Sequence, residues 1–553
     1  MDFKRLFLAL SLSFVFIYVW QIFFMPPISD PNNINQLDQV PKQSVTTDSV
    51  YVEPAKNIDF TFNQSNKLEI ETPLLIVKLN NGGSSISDLQ IVEKTHKQSN
   101  ELKHTGRWNK GGQYEQNMPV QLLNEQACNP CLMENGNLVV FDDNFELEYI
   151  DNQYVVQSFN GLGIIKTTII HDDSYIIDHM FSNLSPGNNY QLMWTDGVEP
   201  TELNIQDDLI MLGAFTEEGN SYEEETIGDD NKILTYNNVG WAGLKTKYFM
   251  KAITNENYES NKIKNIKFES QKQLVNEKVE FIYSNISCDY GFGNEFINTF
   301  SYIGPIETKH LNSPRTSHLV QLFGFGWFII GYLGQLVLWL LTSLYSIVPN
   351  YGVVCILFAF IVRIFTGPLT KQSFISNQKL QTLQPKIKKI QEKHKTDQAK
   401  LSQATMDLYK KEGVNPLGGC LPILVQMPLL IALFQVFRKT IEFRGAQFLP
   451  IWITDLSQPD IIIKLQFLEN IPGISYFFGH GIALLPIIMG IIMFLSMKMT
   501  ATTTEPSAKF AMYFMNGFFI LLFNTFPSGL NLYYTMYNIL NFIQQRQLKK
   551  LQS

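Results

Sequence analysis

Arg363 is the residue whose surroundings ask most of chemistry. It lies inside the apolar run Tyr351–Leu369, about seven residues or roughly 10 Å from the run's basic end. A cation there costs about 2.5–3.5 kcal/mol on insertion scales, so it must reach water, headgroups or a hydrated cavity. None of the apolar runs that follow residue 320 contains an aspartate or glutamate, so no carboxylate within the membrane pairs with it. The last run places Asn531, Tyr534, Thr535, Asn538, Asn541 and Gln545 at three- and four-residue steps, on one helical face. Such a face either lines a hydrated groove or ties helices together by hydrogen bonds. Gln426, between Pro422 and Pro428, is a further polar residue in an apolar run. The prolines disturb helix hydrogen bonding locally.

A second concentration of charge is basic. The stretch 370–416 carries Lys371, Lys379, Lys386, Lys388, Lys389, Lys393, Lys395, Lys400, Lys410 and Lys411. Leu380, Leu383, Ile387 and Ile390 form an apolar stripe, and Leu401, Leu408 and Tyr409 suggest a second helix after a turn near Thr396–Asp397. The lysines of this hairpin face either anionic headgroups or a cytoplasmic partner. Lys386, Lys388, Lys389 and Lys393 are the candidate contacts.

Other constellations are weak. His171, Asp172, Asp173, Asp178 and His179 read as a polar hairpin with solvated edges. Five cysteines are too few for a disulfide framework. Cys128 and Cys131 form a C-x-x-C without a second pair to complete a zinc site. They read as structural or incidental, with a local disulfide open if the domain is extracytoplasmic. No nucleophile elbow, zincin helix or P-loop occurs, so neither a cofactor nor a metal is expected. A net charge of −8 gives no support to DNA binding.

The elements that must position these residues follow from patterning. Lys4 and Arg5 precede the apolar stretch Leu6–Phe24, whose exit Phe23-Phe24-Met25-Pro26-Pro27 is too bulky for signal cleavage. Residues 1–25 are therefore a membrane anchor with a cytoplasmic N-terminus. Residues 26–57, rich in Pro, Asn, Gln, Ser and Asp, are a flexible linker. Residues 58–310 carry short strand signals, among them the alternating Leu68–Glu71 and the hairpin of Ile164–His171 with Tyr175–Phe181, and predict one β-sandwich.

Six further apolar runs follow: Phe325–Val348, Tyr351–Leu369, Leu417–Phe437, Gly481–Met497, Phe510–Phe526 and Ser528–Gln544. The basic stretch and the N-terminus both belong in the cytoplasm, so an even number of crossings separates them. One run before the basic stretch therefore does not cross. Phe325–Val348, with its internal glycines and its aromatics Trp327, Tyr332, Trp339 and Tyr345, predicts a helix on the outer surface over 320–348. The remaining expectations are a transmembrane helix over 350–371, a cytoplasmic hairpin over 372–415, and a second crossing over 416–438. An outer loop over 439–480, three crossings within 481–546 and a cytoplasmic tail over 547–553 complete the chain. Arg438, Lys439 and Arg444 fall on the outer side, against the charge bias.

Five motifs in this order resemble the YidC insertase family in its Gram-negative form. They are FIVR ending at Arg363, PLTK at 368–371, LQPKI at 383–387, NPLGGCLPILVQMP at 415–428 and FPSGLNLYY at 526–534. GWAGLKTKYF at 240–249 extends the likeness into the β-rich region. The resemblance implies a polytopic α-helical membrane protein: a five-helix core preceded by the anchor, with an all-β periplasmic super-sandwich. It implies a groove open to cytoplasm and lipid, with Arg363 at its centre and Tyr533 or Tyr534 facing substrate. It further implies nascent membrane proteins as clients, inserted alone or beside the Sec translocon, and delivered by ribosomes and the signal-recognition pathway. Two departures stand out: Ala359, where relatives often carry a hydroxyl, and a long connector at 456–480. A secondary transporter would carry acidic or histidine coupling residues within spans, and internal repeats. A membrane-anchored periplasmic carbohydrate-binding protein would carry one anchor and no polar-striped bundle. Neither pattern is present.

Overall fold

A computed structural model describes residues 68–552, apart from 81–84, 96–100, 110–111, 124–127, 143–144, 219–220, 228–231, 258–261, 277–278, 323, 326–328, 395–396, 415–420, 466–480 and 501–505. The expected anchor and linker lie outside the described residues. The chain divides into two compact units after Gly304 rather than near residue 310.

In the first unit the alternating runs form sheets of five, nine and six strands. The predicted hairpin is present: Ile165–His171 pairs antiparallel with Ile176–Ser182, Thr168 opposite His179. These strands lie in the interior of the nine-stranded sheet, whose edges are Ser221–Thr226 and Phe145–Ile150. The six-stranded sheet contributes Trp194, whose indole N–H donates to Ser301 Oγ of the nine-stranded sheet at 3.0 Å. His179 Nε2 shares that hydroxyl at 3.0 Å, and burial pushes its pKa down to about 3. Its strand neighbour Asp178 points to the opposite face and meets His171 Nε2 at 2.7 Å. The histidines therefore serve separate contacts, because adjacent strand residues alternate between faces.

Lys166 and Lys251 are both buried in this unit. Lys166 Nζ donates to Ser85 Oγ at 3.1 Å and to the Pro130 carbonyl at 2.9 Å. Lys251 Nζ donates to Asn129 Oδ1 and to the Thr195 carbonyl, each at 3.0 Å. Both fasten the Cys128–Cys131 loop, whose sulfurs are bonded to one another. Burial pulls each lysine down to about 7; for Lys251, Asp196 and Glu199 work the other way. A lysine that keeps its ordinary value near 10.5 when unfolded then binds more protons unfolded than folded between about pH 7 and 10.5. Stability of this unit should rise with pH across that window. Hydrogen exchange on the full chain, corrected for intrinsic rates, should show Phe249–Asn255 at least about tenfold better protected at pH 9 than at pH 7. Protection that is flat or falls would mean that these ammonium groups stay charged.

The second unit is helical. We label its main helices α1 (Ile329–Ile347), α2 (Tyr351–Lys393), α3 (Gln398–Lys411), α4 (Leu421–Lys439), α5 (Leu484–Thr500), α6 (Pro506–Phe523) and α7 (Ser528–Gln552). Among the described residues α1 and α2 are long and apolar enough to cross a membrane; α5 and α6 contain shorter apolar stretches. α1 buries Gly334, Val337, Leu338 and Leu341 against its neighbours and leaves Tyr332, Leu336 and Trp339 exposed.

Two expected boundaries move. The crossing over 350–371 and the first hairpin helix are one unbroken helix of 43 residues, with Pro368 and Pro385 inside it. Each proline removes one helical hydrogen bond without stopping the run. Near Pro368, the Thr366 and Thr370 hydroxyls bond back to the Val362 and Thr366 carbonyls, each at 2.9 Å. The tail expected at 547–553 is helical to Gln552 as the end of α7. Pro422 falls in the first turn of α4, where no helical N–H is required.

Candidate functional site: a buried arginine between two helices

Arg363 projects from α2 toward α7 and is only 8% exposed. Its Nη1 donates to Thr370 Oγ1 at 3.2 Å and to the Tyr537 hydroxyl at 3.5 Å. Its Nη2 donates to Asn541 Oδ1 at 3.1 Å and to Gln544 Oε1. The Tyr537 ring lies 5.5 Å from the guanidinium carbon. Every one of these partners is neutral. The unpaired charge expected from the sequence is thus buried among dipoles and one aromatic face, the arrangement that a planar five-donor fork permits.

Both helices fix these partners by spacing. Thr370 is two turns beyond Arg363 on α2, so the two share a face. Tyr537, Asn541 and Gln544 stand four and three residues apart on α7. Thr366 Oγ1 and the Tyr537 hydroxyl meet at 2.9 Å, and Gln544 Nε2 donates to the Gly367 carbonyl at 3.4 Å. The site is therefore a seam between α2 and α7.

The predicted stripe on α7 does not meet Arg363 as a whole. Asn541 does. Asn531 is fully buried, and its amide donates to the Phe523 and Phe526 carbonyls at 3.0 and 3.2 Å, closing the turn from α6. Thr535 Oγ1 donates to the Leu485 carbonyl of α5 at 3.4 Å, and Asn538 to its own helix at Tyr534. The N-terminal half of the stripe thus ties helices together. The face toward Arg363 is turned by one residue, about 100°, from the Asn538 direction to that of Tyr537. Tyr537 and Gln544 each precede a stripe residue, Asn538 and Gln545, by one position, and so lie about 100° around the helix from it. Their spacing of four before and three after Asn541 was the available signal.

The tyrosines expected at substrate are packed. Tyr533 is fully buried, its ring 5.3 Å from Phe358 and 4.9 Å from Tyr534. Tyr534 is 9% exposed and edge-on to Phe523 at 5.6 Å. Gln426 on α4 is half-buried, and its Nε2 has no hydrogen-bond partner among the described residues. The turn between α6 and α7 requires Gly529: a Cβ there would come within 2.5 Å of the Phe437 ring. The first amides of α7 are satisfied by the segment between α4 and α5, Ser528 N–H donating to the Gln458 carbonyl at 2.8 Å and Gly529 N–H to that of Leu456 at 2.9 Å.

At the other end of α2, Leu380, Leu383, Ile387 and Val414 make a small core with Leu408 and Tyr409 of α3. Lys386 pairs with Glu412 at 2.6 Å, which holds that carboxyl below its usual range. Lys388, Lys389 and Lys393 are exposed.

Comparison with known proteins places both units. The 60Kd inner membrane protein family matches residues 343–553, and the YidC periplasmic domain matches residues 67–340. The membrane protein insertase YidC of Chlorobium phaeovibrioides is 35% identical over 410 residues, covering 71% of this chain and 68% of that one. The same-named protein of Prosthecochloris aestuarii is 34% identical over 404 residues, covering 70% and 67%. A crystal structure titled as an active YidC insertase with its first transmembrane domain resolved is similar over 87% of this chain and 92% of that one, at 16% identity and a TM-score of 0.36. This chain belongs to the YidC family of membrane protein insertases.

Proposed function

We propose that the chain inserts client proteins through a polar groove between α2 and α7 with Arg363 at its centre. The observation that carries this is a buried cation held by neutral groups alone. Such a cation is solvated well enough to persist and can exchange a neutral partner for a client carboxylate. The groove shortens the dry path for a client's translocated tail. The client's apolar span then partitions into lipid, gaining about 0.3–0.6 kcal/mol per Leu, Ile, Phe or Val at the bilayer centre. A cavity of about 350 Å³ lined by Met493, Met497, Met512, Met515, Asn516 and Phe519 lies between α5 and α6. Methionine side chains re-pack readily, which suits a surface that must accept varied apolar segments.

On this reading α1 lies along the outer face, with Tyr332 and Trp339 at the interface. The α2–α3 hairpin and both termini are cytoplasmic, and the β-rich unit is periplasmic. Lys388, Lys389 and Lys393 are free to meet a ribosome or signal-recognition partner, whereas Lys386 is engaged with Glu412. The chain works alone or beside the Sec translocon, and assists folding of what it inserts. Photocrosslinking from residue 363 to nascent chains tests the groove. Adducts with clients at an early translocated stage are expected, and their absence with adducts elsewhere on the core would overturn it.

The division into two units carries a further prediction. Deleting most of residues 60–295 should leave insertion of a simple client in reconstituted vesicles within about twofold of the full chain, because the deleted part has its own core. Complete loss with the helical unit intact would place part of the insertion machinery in the β-rich unit.

A further inference from the structure

We propose that Asn541 and Gln544 are positioning residues that stand in for a client carboxylate, and that their neutrality sets the preference for acidic translocated tails. The inference rests on the groove reading above. Arg363 Nη2 is held by the two carboxamide oxygens, Asn541 Oδ1 at 3.1 Å and Gln544 Oε1. Each carboxamide is itself oriented. Gln545 Nε2 donates to Asn541 Oδ1 at 3.4 Å, and Gln544 Nε2 donates to the Gly367 carbonyl at 3.4 Å. The two amide oxygens take both N–H donors of Nη2, one of which a carboxylate would claim in an ion pair.

The energetic logic is one of exchange. A buried guanidinium without acceptors is costly, so an empty groove needs acceptors of its own. Amide oxygens supply them with partial charge only. A carboxylate forms charge-assisted bonds about twice as strong, so an arriving acidic side chain displaces the amides downhill. The released amides can bond each other or the client backbone. A resident carboxylate would end this exchange, because it would hold Arg363 as tightly as any client could and repel an acidic tail. The nearby hydroxyls of Thr370 and Tyr537 stay on Nη1 and keep the fork aimed during exchange.

The test uses the full chain in vesicles and two clients that differ only in a pair of translocated residues, both Asp or both Asn. The readout is the ratio of their initial insertion rates, scored by protease protection, rather than either rate. Wild type is expected to favour the acidic tail. Gln544→Glu should lower the ratio by about tenfold or more. Gln544→Met, which fills the same space without a charge, should keep the ratio at or above the wild-type value. Asn541→Asp repeats the prediction should Gln544→Glu fail to fold. A Gln544→Glu ratio equal to wild type, with Arg363→Ala lowering it, overturns the exchange proposal and leaves the groove standing. A Gln544→Met ratio that falls as far as that of Gln544→Glu makes the amide merely structural and also overturns it. An unchanged ratio in Arg363→Ala overturns both.

Discussion

Arg363→Ala lowers the insertion rate of a client with an acidic translocated tail by about tenfold or more, whereas Arg363→Lys lowers it by roughly threefold. The difference follows from the four bonds of the guanidinium. One nitrogen serves Thr370 and Tyr537, and the other serves Asn541 and Gln544, so the planar fork spans both helices. A lysine ammonium keeps the charge and can reach one of these pairs, not both. Alanine removes the charge and leaves the half-buried carboxamides of Asn541 and Gln544 to find new partners. Insertion should be measured at matched expression, with clients bearing acidic and neutral tails. Equal losses for Ala and Lys would mean that the fork, rather than the charge, is what α2 supplies. No loss in either would remove Arg363 from the mechanism.

Thiol labelling along α7 should differ by about a hundredfold between its ends, because only a thiolate reacts and thiolates form where water reaches. Single cysteines replace Asn531, Tyr534, Asn538 and Asn541, in a background lacking Cys355 and Cys420. A membrane-impermeant reagent added from the cytoplasmic side should label positions 541 and 538 fastest, 534 slowly and 531 slowest. Depth gives the order, and burial sharpens it. Asn531 is fully enclosed and Tyr534 nearly so, while Asn538 and Asn541 are only half-buried. Equal labelling at all four positions would contradict a groove that narrows outward. Absent labelling at 538 and 541 would mean that the seam around Arg363 is dry.

Much of this protein could be read from its residues. Strand alternation marked the hairpin around Asp172–Ser174, and its register is as the pattern requires. The apolar runs marked the helices, since hydrocarbon admits no backbone that is not internally bonded. The absence of acids from those runs foretold that Arg363 would have no ionic partner in the bundle. The motifs around it were specific enough to indicate the family.

What the sequence could not decide was which neutral groups would surround that charge. A helical face is defined by its own periodicity only to within a residue or so, about 100° of rotation. The packing of α7 against α5 and α2 chose the rotation. The N-terminal end of α7 is fixed by Asn531, Gly529 and the turn from α6, and Thr535 is drawn to Leu485. With that end pinned, Tyr537, Asn541 and Gln544 are the residues that arrive at Arg363. The same holds for α2, where the expected division at 371–372 is absent and the helix runs through Pro368. The helix continues because a single lost hydrogen bond costs less than unpacking the seam it builds with α7. Side-chain type placed a cation in one apolar run and its hydrogen-bonding partners in another, and helix packing determined which of them meet.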